Sequence, residues 1–301
     1  MPAGGPSDVR PPNLTIVWLS WQISIWVAAI LGGVWLISRR SQGAWQHQVA
    51  PLCKESAIVF TIYATWIKVG ELRFMGTSGA FSRARWVWHT ERWLHLPNEQ
   101  VLQRWALHAT WFIRFLNTYY IVFHVVPLGV FLVWMYVRHR ESLPYWRNQL
   151  AFVSLACQGL LLIPMAPPRF FPSLGFVDTA ARYGPTVYHG GGLTDAGQLA
   201  TMPSMHVAWA MIIGVGTMSV ARSRWRWIGA AHALIMVLAV TLTAYHWLLD
   251  SIVATGILLI GMGIAAYWKS RQRSVVVVGP ELSADAWSIS GSSQDSANSV
   301  S

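Results

Sequence analysis

Six stretches of this chain are apolar over the ~20 residues that a helix needs to cross a hydrocarbon layer, or come close to it: residues 14–37, 115–137, 150–165, 205–220, 227–243 and 251–268. A seventh, 57–69, is shorter, and reads as a tilted span, a re-entrant piece or an interfacial helix. Only 11% of the residues are charged, against roughly a quarter in an ordinary soluble domain, so most of the chain needs a solvent other than water. Nineteen Trp fit that reading, because indole rings favour the membrane interface. The expected fold is an all-α polytopic membrane protein with six transmembrane helices, seven if 57–69 crosses, and a core bundle carrying a site at one membrane face. Four parts follow: a polar segment 1–13, a first span with amphipathic sequence over 14–108, the main bundle over 109–268, and a basic, then disordered, cytoplasmic tail over 269–301.

The net charge of +10 raises the question of nucleic acid. Between residues 70 and 108, Arg83, Arg85, Arg92 and Arg104 alternate with Trp86, Trp88, Trp93 and Trp105. An amphipathic segment along the headgroups explains this better than a nucleic-acid face. The other basic residues sit in short clusters between apolar runs: Arg138, Arg140 and Arg147; Arg222, Arg224 and Arg226; Lys269, Arg271 and Arg273. If the last four spans alternate, all three clusters fall on one side, which the distribution of positive charge makes the cytoplasm. The loop 166–203, including the stretch around Gly190, then faces the other side, as does the turn at His246. Residues 1–13 lack the basic start and small-residue cleavage site of a signal peptide, so 14–37 reads as a retained span. Cys53 and Cys157 form neither a disulfide framework nor a zinc-ligand spacing.

Three short segments converge on the non-cytoplasmic level through topology alone: Ala166-Pro167-Pro168-Arg169, Met202-Pro203-Ser204-Met205-His206, and Tyr245-His246-Trp247-Leu248-Leu249-Asp250. His246 and Asp250, four apart, share a helix face. A carboxylate there can hold one ring nitrogen and leave the other as a nucleophile. The pair also fits a bundle-stabilising role, but ionisable residues in a membrane are expensive and mark function by default. Pro203 suits the first turn of a helix, whose free N–H groups form an anion site, and Ser204 adds a hydroxyl donor. His206, in that first turn, is placed to give a proton to a leaving group. Arg169 supplies the planar, permanently charged fork that a phosphate needs, although a lone interfacial Arg would more readily be a snorkelling one. A metal site is disfavoured: besides Asp250 the nearby acids are Asp178 and Asp195, and neither HExxH nor a Cys cluster occurs.

These residues resemble the type 2 phosphatidic acid phosphatase superfamily, and more narrowly the branch that groups inositol phosphorylceramide synthases with bacterial relatives. Pro203-Ser204-Met205-His206 matches the end of its second motif, and His246 to Asp250 the His-x-x-x-Asp of its third. Pro167-Pro168-Arg169 and the Tyr-x-x-x-His spacing of Tyr120 and His124 match features of the branch, and Gly175-Phe176-Val177-Asp178 is also similar. The resemblance covers roughly residues 90–268. It implies that His246 attacks phosphorus, Asp250 orients it, His206 acts as acid and then base, and Arg169 with the backbone near Ser204 holds the phosphoryl oxygens. It implies no cofactor. Two of the family's cations are absent: Leu162 stands where the first motif has lysine, and Val240 where the third has arginine. Arg182, His189 and Arg114 are the candidate substitutes.

Two enzymatic readings follow, sharing the same histidines: a phosphatase acting on a lipid phosphate or prenyl diphosphate with water as acceptor, and a phosphotransferase passing a phosphoryl or phosphoinositol group to an alcohol. A non-catalytic membrane scaffold or transporter with a degenerate site is the reading from another class. The expected location is the plasma membrane, with the site on the non-cytoplasmic face.

Overall fold

The computed structural model describes residues 19–40, 43, 45–71, 78–184 and 198–291, with backbone alone for 45, 48 and 273–291. The segment 1–13, the stretch around Gly190, and with them His189 and Asp195, lie outside the described residues. Among those described, the fold is all helical: α1 Trp21–Ser38, α2 Ala50–Glu71, α3 Ala80–Trp93, α4 Glu99–Ala106, α5 Thr110–Val122, α6 Val125–Arg138, α7 Leu143–Leu161, α8 Thr179–Tyr183, α9 Met205–Val220, α10 Arg226–Leu242 and α11 Leu248–Gly291. The chain divides into two units, Met1–Leu258 and Leu259–Ser301. The second is, over its described residues, the continuation of α11, which stays helical past Ser274, where the sequence pointed to disorder.

Two helical segments are long and apolar enough to cross a membrane, α1 and residues Leu248–Gln272 of α11. They become three if α5 and α6, which meet at a 54° bend, are one broken span. This is fewer than the six or seven expected, and the reasons are local. The run 115–137 breaks at Phe123 and His124. The runs 205–220 and 227–243 are helices, but at 16 and 17 residues they extend only about 24–26 Å, short of a ~30 Å hydrocarbon core. The run 150–165 belongs to a helix that starts earlier, takes in Arg147 and stops at Leu161, ahead of Pro164. Residues 57–69 lie inside α2, long enough to cross but carrying Lys54, Glu55, Lys68 and Glu71 near its ends. The apolar helices are consistent with an integral membrane protein.

Helix packing follows small residues and a few polar pairs. A Cβ on Gly229 of α10 would lie 1.9 Å from Thr217 Oγ1 of α9, and one on Gly214 would lie 3.0 Å from Ala233 Cβ. These two helices therefore approach as closely as glycine allows, the usual solution where lipid supplies no hydrophobic drive. The Tyr119 hydroxyl meets His232 Nδ1 at 2.6 Å, joining α5 to α10. Arg147 of α7 pairs with Glu55 of α2.

Over its described residues, the segment rich in Arg and Trp buries one of its sides in the protein. Ala80, Ala84, Val87 and Glu91 recur at helical spacing and are fully buried. The first three pack into a core with Met165, Ala166, Phe171, Phe176, Leu199 and Trp247. The opposite side presents Trp86 and Trp93, the latter 76% exposed.

Candidate active site

The three sequence segments are joined by backbone hydrogen bonds. Met165 N–H donates to Leu199 carbonyl at 2.6 Å, and Thr201 Oγ1 donates back to Met165 carbonyl at 2.7 Å, so the first segment runs alongside the approach to the second. Arg169 N–H donates to Ala244 carbonyl at 3.1 Å, tying the first segment to the third. Ser204 N–H donates to Asp250 carbonyl at 3.4 Å, tying the second to the third.

His246 sits in the turn before α11, and its N–H donates to Val240 carbonyl at 3.1 Å. Its Nδ1 lies 2.8 Å from Thr201 carbonyl and 3.3 Å from Asp250 Oδ2. Both partners are acceptors, so Nδ1 is the protonated nitrogen and the lone pair resides on Nε2, the tautomer that a nucleophilic imidazole needs. Asp250 is completely buried, and the same Oδ2 accepts from Trp247 N–H at 3.0 Å. The acid at the third helical position thus reaches back to the helix start, as in half a capping box.

His206 stands in the first turn of α9, its ring 5.9 Å from that of His246. It is sandwiched between Tyr120 at 4.0 Å and His124 at 3.8 Å. The stack continues from Tyr120 to Tyr245 at 4.1 Å, and from His124 to Trp209 at 4.5 Å. Trp209 is anchored by Nε1 donating to Ser154 Oγ at 3.0 Å. The bend between α5 and α6 accounts for His124: it is the residue before α6, buried, and aimed at α9 rather than along a straight helix.

Ser204 caps α9, its Oγ accepting from Val207 N–H at 3.4 Å. Pro203 therefore precedes the helix instead of occupying its first turn, because Ser204 holds the cap position. Arg169 is buried in a short turn, Pro168–Phe170. Its guanidinium lies over the rings of Phe170 at 4.9 Å and Tyr245 at 5.1 Å, and Nε is 3.8 Å from Asp178 Oδ2. Asp178 caps α8 through Ala181 N–H at 3.0 Å. The loop from Gly175 is clamped by Gln103, which exchanges two hydrogen bonds with the Val177 backbone, both 2.9 Å.

Not every candidate joins this group. Arg182 is exposed on α8 with its guanidinium over Tyr183, and Arg114 is exposed on α5. Leu162 is the residue after α7, and Val240 is buried, serving the site through its carbonyl alone. Sequence reasoning missed Thr201, whose contribution is a main-chain oxygen that no side-chain pattern announces. It also missed Tyr245, although that residue directly precedes the motif histidine. Among the described residues, no group of three or more His, Cys, Asp or Glu is arranged to hold a metal ion.

A family model described as the PAP2 superfamily matches residues 85–265, which includes every one of these groups. The chain belongs to the PAP2 superfamily. No curated protein and no solved structure matches it. PAP2 membership points to activity of the phosphatase or phosphotransferase type, and the apolar helices point to a lipid-type substrate.

Proposed function

We propose that this PAP2 protein is an integral membrane phosphatase that hydrolyses a lipid phosphate or prenyl diphosphate through a phosphohistidine intermediate. The observation that carries the reading is the double anchoring of His246 Nδ1 by Thr201 carbonyl and Asp250, with the His206 ring nearby. In the first step His246 Nε2 attacks phosphorus, the bond from phosphorus to the leaving oxygen breaks, and His206 donates a proton to that oxygen. In the second, His206 takes a proton from water, whose oxygen attacks phosphorus and releases His246. Arg169 and the first turn of α9 behind Ser204 stabilise the charge developing on the phosphoryl oxygens. Tyr120 and His124 hold the His206 ring in plane by stacking on its two sides. The reaction needs no metal in this scheme.

The substrate class is supported by a cavity of about 410 Å³ beside the ring stack, walled by Val59, Tyr63, Val126, Gly129, Leu150 and Trp209 among others. Trp209 belongs to both the cavity wall and the stack on His124, so a hydrocarbon chain in the cavity would leave its phosphate close to His206. The protein sits in the plasma membrane in this reading, with the site on the non-cytoplasmic face.

The test is purified protein in detergent with phosphatidate, a prenyl diphosphate and a phosphoinositide, reading released phosphate and lipid products, with and without an alcohol acceptor. Phosphate release by the wild type and none by His246→Ala is the expected result. Product appearing only when alcohol is added would replace hydrolysis by transfer. Equal behaviour of both proteins would remove the catalytic reading.

A further inference from the structure

Acids are scarce in this chain, 12 in 301 residues, yet Glu91 and Glu99 are both 0% exposed. They come from α3 and α4 and meet at the start of α11. The reason lies in the helix itself: α11 begins behind Trp247, which has no side-chain oxygen with which to cap it. Its first N–H groups are satisfied from outside. Glu99 Oε1 accepts from Leu248 N–H, and Glu91 Oε1 accepts from Leu249 N–H at 2.7 Å. With Asp250 Oδ2 on Trp247 N–H, three carboxyl groups occupy the turn that joins His246 to Asp250.

The two carboxyl groups act on each other electrostatically, and neither Oε2 has a hydrogen-bond partner. Two carboxylates buried side by side repel each other, whereas an acid beside a carboxylate does not. The charged groups facing the pair are Arg92, with Nη2 3.9 Å from Glu91, and Asp250.

We propose that Glu91 and Glu99 act together as positioning residues for His246 and Asp250, by holding the first two N–H groups of α11 and so fixing the turn that orients the imidazole. The inference rests on the phosphohistidine reading for its catalytic consequence. Burial raises both carboxyls above their ordinary range; Glu99 is raised further, and its neighbour Glu91 adds repulsion. The sign follows: a raised carboxyl value means the clamp is intact at and below the ordinary carboxyl range. It is lost as pH rises through the raised value of Glu99, when two carboxylates face each other. A glutamine at 99 reproduces the uncharged form without titrating, its carbonyl accepting from Leu248 N–H as Glu99 Oε1 does.

The test compares wild type, Glu99→Gln, Glu99→Ala and Glu91→Ala in detergent. Short-chain phosphatidate in mixed micelles serves as probe, alongside amide hydrogen exchange over residues 246–252. Glu99→Ala and Glu91→Ala should lower kcat on the order of 10²-fold, the scale of a 1 Å misplacement, with KM little changed. Exchange protection should fall at Leu248 and Leu249 and stay intact in α9 and α10. Glu99→Gln should keep kcat and protection and flatten the alkaline fall in rate. Wild-type kcat and protection in the Ala variants would overturn the inference, as would a Glu99→Gln as impaired as Glu99→Ala. If an Ala variant does not fold, the exchange and pH profile of Glu99→Gln decide. If wild type releases no phosphate, the phosphatase reading fails, and exchange alone decides whether the clamp exists.

Discussion

Nδ1 of His246 is the atom on which the site turns, because two acceptors hold its proton instead of one. His246→Ala should abolish turnover and prevent a phosphoenzyme from forming, measured by acid-quenched labelling. Asp250→Asn is more informative. In a Ser-His-Asp triad the same change costs ~10⁴-fold by mis-setting the tautomer. Here Thr201 carbonyl, at 2.8 Å, still demands the proton on Nδ1. The loss in kcat should therefore be smaller than in the triad, and a full loss with a folded protein would show that Thr201 does not contribute. His206→Ala should cost ~10²–10⁴-fold with an alkyl leaving group, the usual size of a general-acid contribution, and much less with a nitrophenolate, which leaves without a proton. Equal losses with both would remove the acid role. Activity should survive EDTA, since no residue of the proposed scheme is a metal ligand; loss on chelation, restored by magnesium or zinc, would overturn that chemistry. At this scale the sequence disclosed side chains set in motif spacing, and the segments that carry His206, His246, Asp250, Ser204 and Arg169 are tied to one another by backbone hydrogen bonds. What it hid were contributions without a pattern. Thr201 acts through its carbonyl, Glu91 and Glu99 are lone acids on two helices, and Arg182 shows the reverse failure, a well-placed cation in sequence that is exposed on α8.

Between elements, the close crossing of α9 and α10 matters most, since α9 carries His206 and α10 leads into His246. Gly229 admits Thr217 so closely that any Cβ must push one helix away. Gly229→Val should destabilise the detergent-solubilised protein by about 1–3 kcal/mol, the usual cost of overpacking, read as a lower unfolding midpoint, and should reduce activity by separating the two histidines. An unchanged midpoint would mean that the crossing is looser than the structure has it. The apolar runs were legible as helices, and 205–220 emerges with the same bounds as α9. Counting them as spans was less secure, because hydropathy reports composition and not continuity. The break at Phe123 and His124 is invisible in an apolar average, and it is what turns His124 towards His206. The Arg- and Trp-rich segment shows its two sides only in three dimensions: Trp86 and Trp93 are exposed on one, while Ala80, Ala84 and Val87 bury the other.

For the whole molecule, the question is which end of the bundle faces which compartment. The structure puts His206 at one end of α9 and the basic cluster Arg222, Arg224 and Arg226 beyond the other, about 24 Å away along 16 residues. If that cluster is cytoplasmic, as positive charge near span ends dictates, the histidines open to the opposite side, along with the exposed Ser173 in the loop after Arg169. Cysteine labelling can decide this cleanly, because the two native cysteines, Cys53 and Cys157, are both buried. In intact cells a membrane-impermeant maleimide should label Ser173→Cys and leave Arg224→Cys unlabelled until the membrane is opened. Arg224 carries part of the orienting charge, so Ser223→Cys, exposed and uncharged, should repeat the pattern without altering the bias. Labelling of position 223 from outside, with 173 protected, would invert the molecule and place the site on the cytoplasmic face. The chemistry would stand in that case, but the substrate would have to come from the inner leaflet.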